Sequence, residues 1–203
     1  MRLMNYQFIV VNVILICCSN VSLGGIHLTI SGKATDNNIG LIGQQSRDLS
    51  SSVAFDLGRY FRLGVTHREA TTHKFGFEAI NPQEEDKVYQ RVNNLTRVSS
   101  NSFDLTMILY YGKLWLPYIM MGVVKKTYEA QSIDSNGSIT AARTPTPPQP
   151  NAGVGVGLRL NKSFTLKLSY TASPGVKIDS PEEIDQKKPA RDSYTSVGIS
   201  YNI

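Results

Sequence analysis

Phe103 to Val124, FDLTMILYYGKLWLPYIMMGVV, decides the fold. Its length and lack of acidic residues after Asp104 would suit a membrane-spanning helix. Three features argue against that. Lys113 stands at its centre, where a charge in hydrocarbon costs about 2.5–3.5 kcal/mol. Pro117 would break the hydrogen-bond ladder of a helix. Ahead of Gly112 the residues alternate, with Phe103, Leu105, Met107 and Leu109 on one parity and Asp104, Thr106, Ile108 and Tyr110 on the other. A period of two is that of a strand. The stretch therefore reads as two strands joined by a tight Gly112-Lys113 turn.

The same unit recurs on either side. SVAFDLGRYFRLGVT (Ser52 to Thr66) turns at Gly58-Arg59, and GVGVGLRLNKSFTLKLSY (Gly153 to Tyr170) turns at Asn161-Lys162. An aromatic residue, Phe61, Trp115 or Phe164, opens each returning strand. Strands are also read at Ile26 to Ser31 and Tyr194 to Ile203, which makes eight with three short turns. Between them lie four long polar segments: Gly32 to Leu49, Glu69 to Ser100, Glu129 to Pro150 and Ser173 to Asp192. The third carries TPTPPQP, which argues against regular structure there. Turns and loops alternate, so the short connections gather at one end of the sheet and the long ones at the other.

Met1 to Gly24 reads as a secretory signal peptide. Arg2 is the positive start, Phe8 to Cys18 the apolar run, and Ser22-Leu23-Gly24 a small-residue cleavage site. Cys17 stands where a lipoprotein signal wants Gly, Ala or Ser before Cys18. The expected mature chain, residues 25–203, then has neither cysteine, so it needs no disulfide or thiolate metal site. Cleavage removes Arg2 and no acid, taking the formal net charge from +5 to +4. That modest, dispersed excess excludes a nucleic-acid patch as an organising feature.

An all-β, eight-stranded antiparallel sheet with such uneven ends, behind a signal peptide, has the plan of a transmembrane barrel in a bacterial outer membrane, with short periplasmic turns and long extracellular loops. Lipid admits a sheet only when it closes, because an open edge leaves backbone groups unpaired. The parities agree. Val53, Phe55, Leu57, Leu63, Val65, Val154, Val156, Leu158, Leu166 and Leu168 make an uncharged outer band. The other parity holds Asp56, Arg62, Arg68, Asp104, Arg159 and Lys167, together with the glycines of Gly153 to Gly157. Asp56, Arg62 and Arg159 are expected to form one interior ionic network near the short turns. Asp104, Lys167 and Arg68 are expected to form a second, higher one. Tyr60, Phe61, Tyr111, Trp115, Phe164 and Tyr201 lie beside the short turns and suit a periplasmic aromatic girdle.

Ser196, Gly198, Tyr201 and Ile203 resemble the C-terminal signal by which outer-membrane barrels are recognised for insertion, with Ile203 in place of the usual Phe. With the strand plan, residues 25–203 are similar to the small eight-stranded barrels of the OmpA-transmembrane, OmpX and OmpW type. The resemblance implies outer-membrane lipids, lipopolysaccharide and the barrel-assembly machinery as partners, and a monomer.

Signals for chemistry are weak. Gly153-Val-Gly155-Val-Gly157 lacks the third glycine of a nucleotide loop, since Leu158 stands there. His27, His67 and His73 have no metal-ligand spacing. A lipid A deacylase of this class needs a His and a Ser two apart. Here Thr29, Glu69 and Phe75 follow the histidines at that distance. No cofactor or enzymatic activity is expected. The leading expectation is a non-enzymatic barrel whose loops meet an extracellular ligand or host surface in a structural, adhesive or protective role. The alternative is a narrow OmpW-like channel for small apolar solutes, lined by Tyr118, Met120 and Ile108.

Overall fold

The computed structural model describes residues 24–39, 42–79, 89–133, 139–177 and 188–203, so the signal-peptide segment lies outside the described residues apart from Gly24. Nine strands follow in order: β1 (Gly24–Ile39), β2 (Ile42–Leu57), β3 (Phe61–Ala79), β4 (Tyr89–Ile108), β5 (Trp115–Ile133), β6 (Ile139–Pro145), β7 (Gln149–Arg159), β8 (Phe164–Lys177) and β9 (Lys188–Asn202). No helix occurs among the described residues. Each strand pairs antiparallel with the next around the order β4-β3-β2-β1-β9-β8-β7-β5, and a β4–β5 ladder closes the ring. The result is a closed eight-stranded antiparallel barrel.

The ninth strand is an interruption in an eighth wall. β6 and β7 both pair with β5, β6 opposite Thr127 to Ile133 and β7 opposite Trp115 to Val124. Thr146-Pro147-Pro148 bulges between them because neither proline has an amide hydrogen to give the ladder. Thr146 compensates. Its amide donates to the Lys126 carbonyl at 2.8 Å, and its hydroxyl accepts from the Lys126 amide at 3.2 Å. The expectation that TPTPPQP excludes regular structure fails for Ile139–Pro145 and from Gln149 onward.

The long segments are corrected in the same sense: much of each is strand. β1 runs to Ile39 and β2 begins at Ile42, so most of Gly32 to Leu49 is a rising hairpin. Glu69 to Ala79, Tyr89 to Ser100, Glu129 to Ile133, Ser173 to Lys177 and Lys188 to Asp192 are likewise paired. The central turn is also longer than a Gly-Lys pair, because β4 ends at Ile108 and β5 begins at Trp115. The Leu109 amide still reaches the Pro117 carbonyl at 2.9 Å, and that bond holds the two arms together below the last ladder pair, Ile108–Tyr118. Gly58 takes a left-handed φ of 77° in the first turn, a conformation glycine adopts without steric cost.

The alternation predicts which side faces out. Phe103, Trp115, Val154 and Ile199 are each more than half exposed, whereas Asp104 is 3% and Lys126 1% exposed. A soluble barrel would show the opposite arrangement. The inner glycines give space to β5. Leu116, Tyr118 and Met120 stand opposite Gly157, Gly155 and Gly153, and a Cβ built on Gly155 would overlap Tyr118 Cζ. The Gly153 to Gly157 run is thus a floor under three large side chains. Gly155→Val should lower the urea midpoint of the folded barrel by the equivalent of about 1–3 kcal/mol. Adding Tyr118→Ala should recover part of that loss; no recovery would mean that the two side chains do not share one space.

Candidate functional site

The lumen is filled in tiers. At the short-turn end β1, β2 and β3 place His27, Asp56 and Arg62 together, with His27 Nε2 3.0 Å and Arg62 Nε 2.6 Å from the Asp56 carboxylate. The Asp56–Arg62 contact follows from their direct register pairing across a short hairpin. Arg159 does not join them. Its guanidinium stands 4.8 Å from the centre of the Tyr111 ring, and Arg59 approaches the same ring at 5.2 Å. Tyr111 is therefore half-buried between two cations, while Tyr60, Phe61, Trp115, Phe164 and Tyr201 face outward at the same end. The Phe164 and Tyr201 rings touch at 5.0 Å across β8 and β9.

The middle tier is neutral in its bonding. Asp104 accepts from the Ser102 hydroxyl at 2.5 Å and from Asn151 Nδ2 at 2.9 Å. Lys167 donates to the Thr29 hydroxyl at 3.0 Å. The expected union of Asp104, Lys167 and Arg68 thus does not form: Asp104 is held by Ser102 and Asn151, Lys167 by Thr29, and Arg68 by Asp48 and Asp192. A cavity of about 100 Å³ remains between them, room for roughly half a dozen waters. Its lining includes Thr29, Ser50, Thr106, Lys167 and Ser169. Tyr118 and Met120 reach it, but most of the wall carries hydroxyls and charge, and Ile108 is buried outside it.

The upper tier is a unit that the sequence reading misses. Arg68 binds Asp48 through Nε and Nη2, at 2.9 and 2.5 Å, and lies 3.4 Å from Asp192 through Nη1. Lys126 donates to Asp192 at 2.7 Å and to the Pro174 carbonyl at 2.8 Å. The Arg68 guanidinium also lies 3.8 Å over the Tyr194 ring, within cation–π range. Tyr128 accepts from the Val176 amide at 3.2 Å. These contacts latch the β8–β9 hairpin onto β2, β3 and β5 across the mouth. Asp48, Lys126 and Asp192 fall in or beside segments read as loops. Continuing the inward parity from Tyr118 through Val124 to Lys126 would find the lysine.

Ser196 and Gly198 face the lumen on β9, while Tyr201 faces outward. Ile203 lies just beyond β9, and its amide donates to the Ile26 carbonyl at 3.0 Å, tying the seam where the barrel closes. Among the described residues no group of three or more His, Cys, Asp or Glu side chains is placed to hold a metal.

This inside-out barrel has the fold of the small eight-stranded barrels of bacterial outer membranes. Neisserial surface protein A aligns with a TM-score of 0.55 at 13% identity, over 89% of this chain and 99% of that one. The N-terminal β-barrel domain of Pseudomonas aeruginosa OprF aligns with a TM-score of 0.51 at 12% identity, over 90% of this chain and all of that one. No protein-family model matches the sequence, and no curated protein matches it.

The lower tier makes a direct prediction. Asp56→Ala leaves Arg62, 9% exposed, without its carboxylate, which costs about 3–5 kcal/mol in a buried pair. Arg97→Ala breaks only the exposed pair with Glu69 and should cost less than about 0.5 kcal/mol. Urea midpoints of the two variants should differ accordingly, and equal shifts would contradict a packed charged lumen.

Proposed function

We propose that the protein is a non-enzymatic barrel of the bacterial outer membrane, exported through a cleaved signal peptide. Its surface crown carries a structural, adhesive or protective interaction. Its last strand, with Tyr201 and Ile203, serves as the insertion signal for the barrel-assembly machinery. One observation carries the crown reading. Phe61 opens β3 at the short-turn end, and Phe77 stands near the far end of the same strand, 51% exposed. At about 3.3 Å per residue and a tilt near 40°, that places Phe77 roughly 40 Å above the short-turn end. An outer-membrane apolar band is only about 25 Å tall, so lipid does not cover this side chain. Phe75 on the same strand, with Ile133 and Ile139 on the β5–β6 hairpin, is exposed in the same raised position. Apolar groups displayed in water beyond the bilayer mark a contact surface for another molecule.

The channel reading finds less support. Three tiers of hydrogen-bonded side chains cross the lumen, and the space that remains between them is small, about 100 Å³.

Two measurements test this. Purified protein in planar bilayers should show no steady conductance; a stable, porin-like current would favour the channel. Cells displaying the Phe75→Ser/Phe77→Ser variant should bind cultured epithelial cells or serum proteins at least several-fold more weakly than wild type. The variant should keep the faster gel migration of an unboiled barrel. Undiminished binding would place the contact elsewhere.

A further inference from the structure

The three short turns share one chemistry. Gly58-Arg59-Tyr60, Tyr110-Tyr111-Gly112-Lys113 and Asn161-Lys162 each carry a cation, and no acidic residue occurs in any of them. Arg159, the last residue of β7, adds a further positive charge at the same end. Among the described residues none of Arg59, Lys113, Arg159 and Lys162 forms an ion pair. Asp56, the acid beside the first turn, is already held by His27 and Arg62.

Two of these cations are built into a stack. The Tyr111 ring stands between them, with the Arg59 guanidinium 5.2 Å and the Arg159 guanidinium 4.8 Å from its centre, both within cation–π range. Arg159 has the same parity on β7 as Gly155 and Gly157, which face the lumen. The stack therefore lies across the lower mouth of the barrel, inside the ring of outward aromatics formed by Tyr60, Trp115 and Phe164. Arg59 also touches Tyr60 at 5.5 Å, so it spans from that ring to the stack. Lys113 and Lys162, two and three residues beyond Tyr111 and Arg159, are exposed, as is Tyr110. Arginine and tyrosine held in place beside a polar rim are the residues that dominate binding at protein interfaces. A guanidinium stacked by its face keeps its N–H edge for a carboxylate.

We propose that the short-turn end docks an acidic peptide segment of another protein on the periplasmic side. Its carboxylates pair with Arg59 and Arg159 on either side of Tyr111, and with the outlying Lys113 and Lys162. Charge complementarity selects this partner, because the surface offers cations and aromatic rings with no acid of its own to compete. Anionic lipid headgroups meet the outward aromatics at this level, whereas a peptide chain crosses the mouth where the stack lies. The inference rests on the outer-membrane placement proposed above and is independent of what the crown binds.

Fluorescence anisotropy tests it, with residues 25–203 folded in phosphatidylcholine nanodiscs and titrated against fluorescein-labelled oligoglutamate. Wild type should bind oligoglutamate at least ten-fold more tightly than oligoglutamine. Arg59→Gln/Arg159→Gln should weaken that binding at least five-fold. Lys113→Gln/Lys162→Gln, outside the stack, should weaken it at least two-fold and serves as the test should the arginine variant not fold. Arg97→Gln/Arg143→Gln removes the same charge from the opposite end and should leave binding within two-fold of wild type. Equal losses at the two ends would make net charge alone the cause and overturn the proposal. Native mass spectrometry in detergent should show equal phosphatidylglycerol retention by wild type and Arg59→Gln/Arg159→Gln; a drop in the variant would assign the arginines to lipid and overturn it likewise. A wild-type barrel that migrates faster unboiled yet binds no oligoglutamate removes this docking surface and leaves the outer-membrane reading standing.

Discussion

A chain that crosses hydrocarbon as strands has to satisfy every backbone amide and carbonyl within itself, and the remainder of this structure follows from that requirement. Seven of the eight wall junctions are made by hairpins, whose register is set locally. The eighth, β1 with β9, joins the two ends of the described chain through six register pairs and the Ile203–Ile26 bond. Closure at this seam is the costly step, because it brings together segments far apart in sequence. It is also where small residues concentrate. A Cβ on Gly198 would meet the Ile30 carbonyl at 2.6 Å, so the close approach of β9 to β1 depends on that glycine.

Closure fixes a narrow interior filled mostly by side chains, and that explains why the charges inside are held so specifically. Each buried charge needs a partner within reach, since an isolated one is expensive in a low dielectric. Asp56 serves both His27 and Arg62; Asp192 serves both Arg68 and Lys126. The second arrangement has a further consequence. Asp192 lies on the β8–β9 hairpin, so the ion pairs that satisfy Arg68 and Lys126 also draw that hairpin across the mouth. Stability of the lumen and closure of its outer end are one set of contacts. β1 pairs with β9 only up to Gly32, so the upper part of its edge has no β9 partner.

Legibility in the sequence followed contrast between the two faces. From Phe103 to Leu109 and from Val154 to Leu168, apolar and polar residues alternate, so strands, parity and closure could be read from the residues. Above the apolar band that contrast vanishes. Ser46, Asp48 and Thr72 face inward while Gln45, Arg47 and Thr71 face outward, and polar residues on both sides leave no period to detect. The strands there are fixed by the partner across the ladder rather than by their own composition. The ionic pairs failed for a related reason. Parity placed Arg68, Asp104 and Lys167 inside, but azimuth around the barrel decided their partners, and azimuth comes only from register and tilt. Asp56 with Arg62 was legible because a short hairpin made them neighbours.

Both cysteines, Cys17 and Cys18, precede Gly25, so single cysteines can be placed in a barrel of residues 25–203 and labelled with nitroxides. The most direct measurement of the account is the collision of oxygen and of a water-soluble nickel complex with such labels at successive positions from Thr165 to Tyr170 in lipid vesicles. Positions 166, 168 and 170 should show high oxygen and low nickel access, and positions 165, 167 and 169 low access to both, a strict period of two. High nickel access at the even positions, or no alternation at all, would contradict a closed barrel with an apolar exterior and a filled lumen.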